Sequence, residues 1–118
     1  MLVCTDLDGT IEADPATFQH IFAALRATGD QVAILTGVRG VATIGPAEVQ
    51  AKRDFIAQLG FTAYDQLAVF PDDGQLDELK AQWCQANGAS LLIDNSKANA
   101  RAASQVTLVL VPWATRTK

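Results

Sequence analysis

The chain has 118 residues, a length typical of a single domain. Hydrophobic residues make up 49% and charged residues 19%, a globular composition that excludes intrinsic disorder. Thirteen acidic residues outnumber nine basic ones and give a formal net charge of −4. This balance disfavours a general nucleic-acid binder, although it leaves open a site that reads a nucleic-acid end. We therefore expect one domain over residues 1–118.

The sequence shows no pattern for secretion or membrane insertion. Its first apolar run is short and ends at Asp6, so it resembles neither a leader nor a membrane span. Two cysteines, Cys4 and Cys84, are too few for a disulfide framework. These features predict a cytoplasmic protein with no membrane partner.

Apolar runs alternate with amphipathic segments along the chain. Strands are predicted at 2–5, 31–35, 67–70, 90–93 and 106–111, and helices at 16–27, 46–59, 75–86 and 96–103. The strands are apolar on both faces, which is typical of a parallel sheet covered by helices on both sides. The predicted fold is a three-layer, Rossmann-like α/β domain with a central, mainly parallel five-stranded sheet.

Polar residues follow several of these strands. Ligand sites in such sheets lie beyond the carboxyl ends of the strands, where Asp6, Asp8, Thr36, Asp94 and Asn95 are placed. Two carboxylates directly after a buried strand are costly to bury alone, and a Mg²⁺ ion would offset that cost. A plainer interpretation is that Asp6 and Asp8 open a turn, and the pair alone does not separate the two.

The whole run Asp6–Thr10, which reads Asp-Leu-Asp-Gly-Thr, is more specific. It resembles the first motif of the haloacid dehalogenase (HAD) superfamily of phosphohydrolases. Three further positions follow in the order of that family: Thr36 ends the second predicted strand, Lys80 lies in the third helix, and Asp94 ends the fourth strand. The resemblance spans residues 3–95 and implies a HAD-like fold.

The resemblance also implies an activity, the Mg²⁺-dependent hydrolysis of a phosphomonoester through an aspartyl-phosphate. Asp6 would be the nucleophile, and Asp8 the general acid and then the general base. Thr36, Gly37 and Lys80 would bind and neutralise the phosphoryl group. The implied class is a HAD-type phosphoric monoester hydrolase.

The implied metal ligands are Asp6, Asp8, Asp94 and Asn95. Asn95 departs from the family, in which a second acid is common, and an amide would bind Mg²⁺ more weakly. Arg39 follows Thr36 and would either grip a substrate phosphate or stay solvated.

No cap domain fits within this length, so the resemblance implies an open, capless site. Such a site accepts a large phosphorylated substrate, or it borrows a lid from a partner or a second copy of the chain. The alternative is a non-catalytic HAD-like module for phosphate binding or assembly. Asn95, the short stretch between Gly9 and Pro15, and the small size favour that alternative.

Overall fold

The computed structural model describes residues 1–96 and the backbone of one further strand at 107–110. The strands are β1 (Leu2–Asp6), β2 (Gln31–Arg39), β3 (Gln66–Asp72), β4 (Leu91–Asp94) and β5 (Thr107–Leu110). The helices are α1 (Pro15–Ala27), α2 (Pro46–Gln58) and α3 (Leu76–Ala86). A turn of π-helix type, Leu7–Ile11, follows β1. Apart from its first residue, the predicted helix at 96–103 lies outside the described residues.

The strands form one sheet in the order β3-β2-β1-β4-β5. Each pairing in this order is parallel, and β1 lies between β2 and β4 with Val3 opposite Val32 and Leu91. The four strands β1 to β4 lie wholly within the residues whose side chains are described. The predicted three-layer α/β class with a parallel sheet is confirmed.

Successive residues of β1, β2 and β4 pack on opposite faces of the sheet, because the side chains of a strand alternate. Val3, Val32 and Ile34 lie in a core with Phe22 of α1 and Ile56 of α2. Their neighbours Cys4, Ala33, Leu35 and Leu92 lie in a second core with Cys84 of α3. Helices α1 and α2 therefore cover one face of the sheet and α3 covers the other.

Strand β2 is longer than predicted. The sequence indicated an end near Leu35, but Gly37, Val38 and Arg39 continue the ladder opposite Phe70, Pro71 and Asp72 of β3. Arg39 therefore lies at the end of a strand and not in a loop. Gly37 also lets α3 approach the sheet, since a Cβ there would lie 2.8 Å from Leu76 Cδ2.

Asp65, just before β3, binds the start of β2, next to the first residues that β2 pairs with β3. Its carboxylate accepts a hydrogen bond from the Val32 backbone N–H at 2.8 Å and is paired with Arg26 of α1 at 3.0 Å. This contact lies far from the carboxyl ends of the strands, so it is useful as a control region. Among the described residues, no helix combines the length and apolarity that a membrane span requires.

Candidate functional site

A cavity of about 660 Å³ opens at the carboxyl ends of β1, β2 and β4. We call it the polar cavity, because charged side chains make up much of its lining. They are five carboxylates (Asp6, Asp8, Asp72, Asp77 and Asp94) and three cationic groups (Arg39, Lys52 and Lys80). With every group ionised, the lining carries two negative charges in excess.

The floor of the polar cavity is a buried triad of Asp6, Lys80 and Asp94. Lys80 reaches from α3 and its Nζ donates to Asp6 Oδ1 at 2.8 Å and to Asp94 Oδ2 at 3.1 Å. The three residues are only 5%, 2% and 1% exposed, respectively. Charges withdrawn from water to this extent are stable only when they are paired, so each member of the triad requires the others.

Burial raises the pKa of the Asp6 carboxyl to about 6, and the neighbouring charges of Asp94 and Asp8 act in the same direction against Lys80. Burial alone would lower the pKa of Lys80. The carboxylates of Asp6 and Asp94 outweigh that effect and hold the pKa of Lys80 above its usual range. At neutral pH the Lys80 ammonium therefore lies beside a largely ionised Asp6 carboxylate.

The Asn95 side chain lies over two oxygens of this triad. The amide atom that faces them is 2.8 Å from Asp6 Oδ2 and 3.3 Å from Asp94 Oδ1. With the nitrogen at that position, Asn95 donates to both carboxylates. With the oxygen there, three oxygens converge, an arrangement that a bound cation stabilises.

Gly9 makes room for the Asn95 amide. Its φ of +78° is a left-handed conformation, and a Cβ at this position would lie 2.5 Å from Asn95 Nδ2. The turn that carries Asp8 thus leaves space for Asn95, which directly follows β4, the strand beside β1.

A second ion pair lies nearer the mouth of the polar cavity, and we call it the outer pair. Lys52 Nζ of α2 is 3.4 Å from Asp8 Oδ2, and the buried Thr36 hydroxyl donates to the same oxygen at 3.1 Å. The Asp8 side chain is 54% exposed, so this pair remains accessible to solvent.

The structure brings most of the predicted site residues to one cavity. Asp6, Asp8, Gly37, Arg39, Lys80, Asp94 and Asn95 all line it. Thr36 lies beneath Asp8 and its hydroxyl is engaged there, so it is not presented to a ligand. The Arg39 side chain is 92% exposed and is paired with Asp72 at 3.6 Å.

Lys52 is a site residue that no motif of the sequence indicated, because it lies in the helix before the third strand. A helix that follows β2 begins at the carboxyl end of the sheet, and Lys52 lies about 9 Å along its axis from the first residue. Its long side chain spans the remaining distance. Lys52 could therefore be found from the topology of the fold, and not from a sequence motif.

The donor set suits a hard divalent cation that keeps part of its hydration shell. No group of three or more His, Cys, Asp or Glu side chains that could hold a metal occurs among the described residues. Asp6, Asp94 and Asn95 offer two carboxylates and one amide. Mg²⁺ is commonly held by one or two carboxylates, with water and phosphate oxygens completing the shell. Neighbouring ligand oxygens of Mg²⁺ are about 2.9 Å apart in an ideal octahedron. The Asn95 amide atom lies at comparable distances, 2.8 Å and 3.3 Å, from the Asp6 and Asp94 oxygens.

Comparison with known proteins gives a fold and no family membership. No family model matches the chain, and no curated protein matches it. A solved structure of a protein from the universal stress protein family of Burkholderia pseudomallei is similar, with a TM-score of 0.53 and 14% identity. The match covers 94% of this chain and 95% of that one. A likeness at this identity shows the fold alone.

These findings correct the assignment to the HAD superfamily, which was wrong. The structural likeness is to a different Rossmann-like family, and no family model supports a phosphohydrolase. The phosphatase activity and the hydrolase class implied by that assignment fall with it. The physical reason is that a parallel α/β sheet gathers polar strand ends at one edge whatever the family. Lys80 is, moreover, already neutralised by two carboxylates.

Proposed function

We propose that this chain is a binding domain whose polar cavity takes a divalent cation, Mg²⁺ by its oxygen donors, together with a phosphorylated ligand. The ligand is bound and released without being hydrolysed. The observation that carries this proposal is the excess of two negative charges in a cavity that also presents lysine and arginine. One divalent cation neutralises that excess, and an anion alone does not.

The proposed order of binding follows from charge. A phosphate group approaching the cavity meets the carboxylates of Asp6, Asp8 and Asp94, and in a partly buried site this repulsion is only weakly screened. A cation held by Asp6, Asp94 and Asn95 would reverse the local sign. Lys52 at the mouth would then pair with the bound anion in place of Asp8. The anion is therefore expected to bind only after the metal.

The size of the cavity agrees with this role. Small-molecule sites commonly measure about 300–1,000 Å³, and the polar cavity measures about 660 Å³. It is open to solvent on one side, so a phosphorylated group on a larger partner would also fit. An open mouth leaves room for a partner chain or a second copy to complete the site.

Isothermal titration calorimetry tests the proposal. Inorganic phosphate is titrated into the protein in EDTA and again in about 10 mM MgCl₂. This concentration is roughly tenfold above a millimolar dissociation constant for Mg²⁺. We expect heat of binding with MgCl₂ and none with EDTA. The Asp6→Asn variant should lose the response, because it removes one of the carboxylates that hold the cation.

Asp54→Asn is a matched control, because Asp54 is an exposed carboxylate of α2 that hydrogen-bonds Gln50 outside the cavity. It should bind phosphate as the wild type does. Phosphate binding of equal strength in EDTA would contradict the role of the cation. Release of phosphate from an ester during incubation, lost in Asp6→Asn, would contradict a binding role.

A further inference from the structure

A second depression borders the polar cavity, and we call it the apolar groove. It has a volume of about 550 Å³ and lies between the end of β2 and helix α2. Five apolar side chains line it: Val38, Val41, Ala47, Ala51 and Phe55. Phe55 packs against the core below it, so the floor of the groove belongs to the rigid part of the fold.

The apolar groove and the polar cavity lie side by side. Asp8, Val38 and Lys52 line both of them, and the ion pair between Asp8 and Lys52 stands at the boundary. A molecule with its anionic group beside Lys52 can therefore place its remaining atoms in the groove. Binding of apolar atoms in the groove is favourable, because the apolar surfaces of the ligand and of the groove are both removed from water.

Besides Asp8, two further carboxylates border the groove, and both accept hydrogen bonds from loop backbone groups. Glu12 Oε1 accepts from the Gly9 N–H at 3.0 Å, and Glu48 Oε1 accepts from the Gly45 N–H at 2.7 Å. Their negative charge disfavours a second phosphate at this end. The groove therefore selects by apolar contact, and it selects against a second anionic group.

We infer that the ligand is an amphipathic phosphate monoester, with its phosphate in the polar cavity and an aryl or branched alkyl group in the apolar groove. This inference rests on the proposed function, since the phosphate end is the one described above. It adds the chemical class of the other end, a single apolar substituent of about the size of a benzene ring.

The test compares three probes by calorimetry in MgCl₂: inorganic phosphate, phenyl phosphate and ribose 5-phosphate. Phenyl phosphate should bind about tenfold more tightly than inorganic phosphate, as expected when one ring is partly buried. Ribose 5-phosphate, whose substituent is hydrophilic, should show no such gain. Equal affinity for all three probes would overturn the inference and leave the proposed function standing.

Two variants locate the effect. Ala51→Phe fills the groove from an exposed position of α2, so it should abolish the preference for phenyl phosphate without weakening inorganic phosphate. Ala57→Phe places the same ring at an exposed position of α2 that lines neither depression, and it should keep the preference. A preference that survives in Ala51→Phe would overturn the location. Failure of every probe to bind would overturn the inference and the proposed function together.

Discussion

The buried triad and the outer pair both join aspartate to lysine at the carboxyl ends of the strands, but they differ in their exposure to solvent. The Lys80 side chain is 3% exposed and contacts two carboxylates. In the outer pair, the Lys52 side chain is 17% exposed and the Asp8 side chain is 54% exposed. Buried pairs cannot exchange partners without a large loss of free energy, and exposed pairs exchange readily. We therefore expect the triad to maintain the site and, under the proposed function, the outer pair to respond to the ligand.

Lys80→Met should give the largest effect. It leaves Asp6 and Asp94 buried without their cation, and breaking a buried pair in this way costs about 3–5 kcal/mol of the free energy of unfolding. Urea denaturation at pH 7 measures the loss. The deficit should shrink at acidic pH, since protonation removes the unpaired charge. A variant as stable as the wild type at pH 7 would show that the triad does not maintain the site.

Gly9→Ala should give the next largest effect. A left-handed conformation costs a residue with a Cβ about 1–2 kcal/mol, and the new Cβ would also lie 2.5 Å from the Asn95 amide. Gly40→Ala is the matched control, because Gly40 has a φ of +80° with nothing within 4 Å of its Cβ position. Both variants should lose stability, but only Gly9→Ala should also weaken the binding of Mg²⁺. Equal Mg²⁺ affinities would sever the proposed link between Gly9 and Asn95.

Lys52→Met should change the stability of the fold little and should weaken phosphate binding markedly. Exposed ion pairs contribute about 1 kcal/mol or less, so the urea midpoint should hardly move. Phosphate affinity in MgCl₂ should fall about tenfold, because one charge-assisted contact to the anion is lost. Mg²⁺ affinity measured without phosphate should not fall. The outer pair would not be the responsive element if phosphate bound the variant as it binds the wild type.

Asp65→Asn should give the smallest effect and report on the opposite end of the sheet. The Val32 N–H and Arg26 hold the pKa of Asp65 below its usual range. Such a group stabilises the fold above its unfolded pKa, and the stabilisation is lost as the pH falls through the lower folded value. The wild type should therefore be more stable than the variant at pH 7, by less than about 1 kcal/mol, and the difference should vanish once the pH lies below the folded pKa. A difference that grows in acid would reverse the assigned sign.

The sequence was sufficient for the class of fold. Buried parallel strands read as continuous apolar runs, and each of β1, β2 and β4 is followed or ended by a polar residue that pointed to the site. The end of β2 was missed because Gly37 and Arg39 interrupt the apolar pattern. Only the pairing with β3 reveals that the strand continues.

The contacts within the site were harder to predict from the sequence. Lys80 lies 74 positions from Asp6, and no local pattern reports that its ammonium is buried between two aspartates. Lys52 was passed over because the reach of a side chain from α2 depends on where that helix packs. The family assignment failed for a related reason, since a run of five residues at a strand end describes a common turn as well as a catalytic motif.

Under the proposed function, a bound cation makes the polar cavity receptive to an anion. A two-dimensional ¹⁵N–¹H spectrum followed during titration tests it residue by residue. We predict that Mg²⁺ alone shifts the amides of Gly9 and Asn95, and that phosphate shifts those of Gly37 and Lys52 only after Mg²⁺ is present. Phosphate-induced shifts in EDTA, or shifts confined to residues outside the cavity, would contradict it.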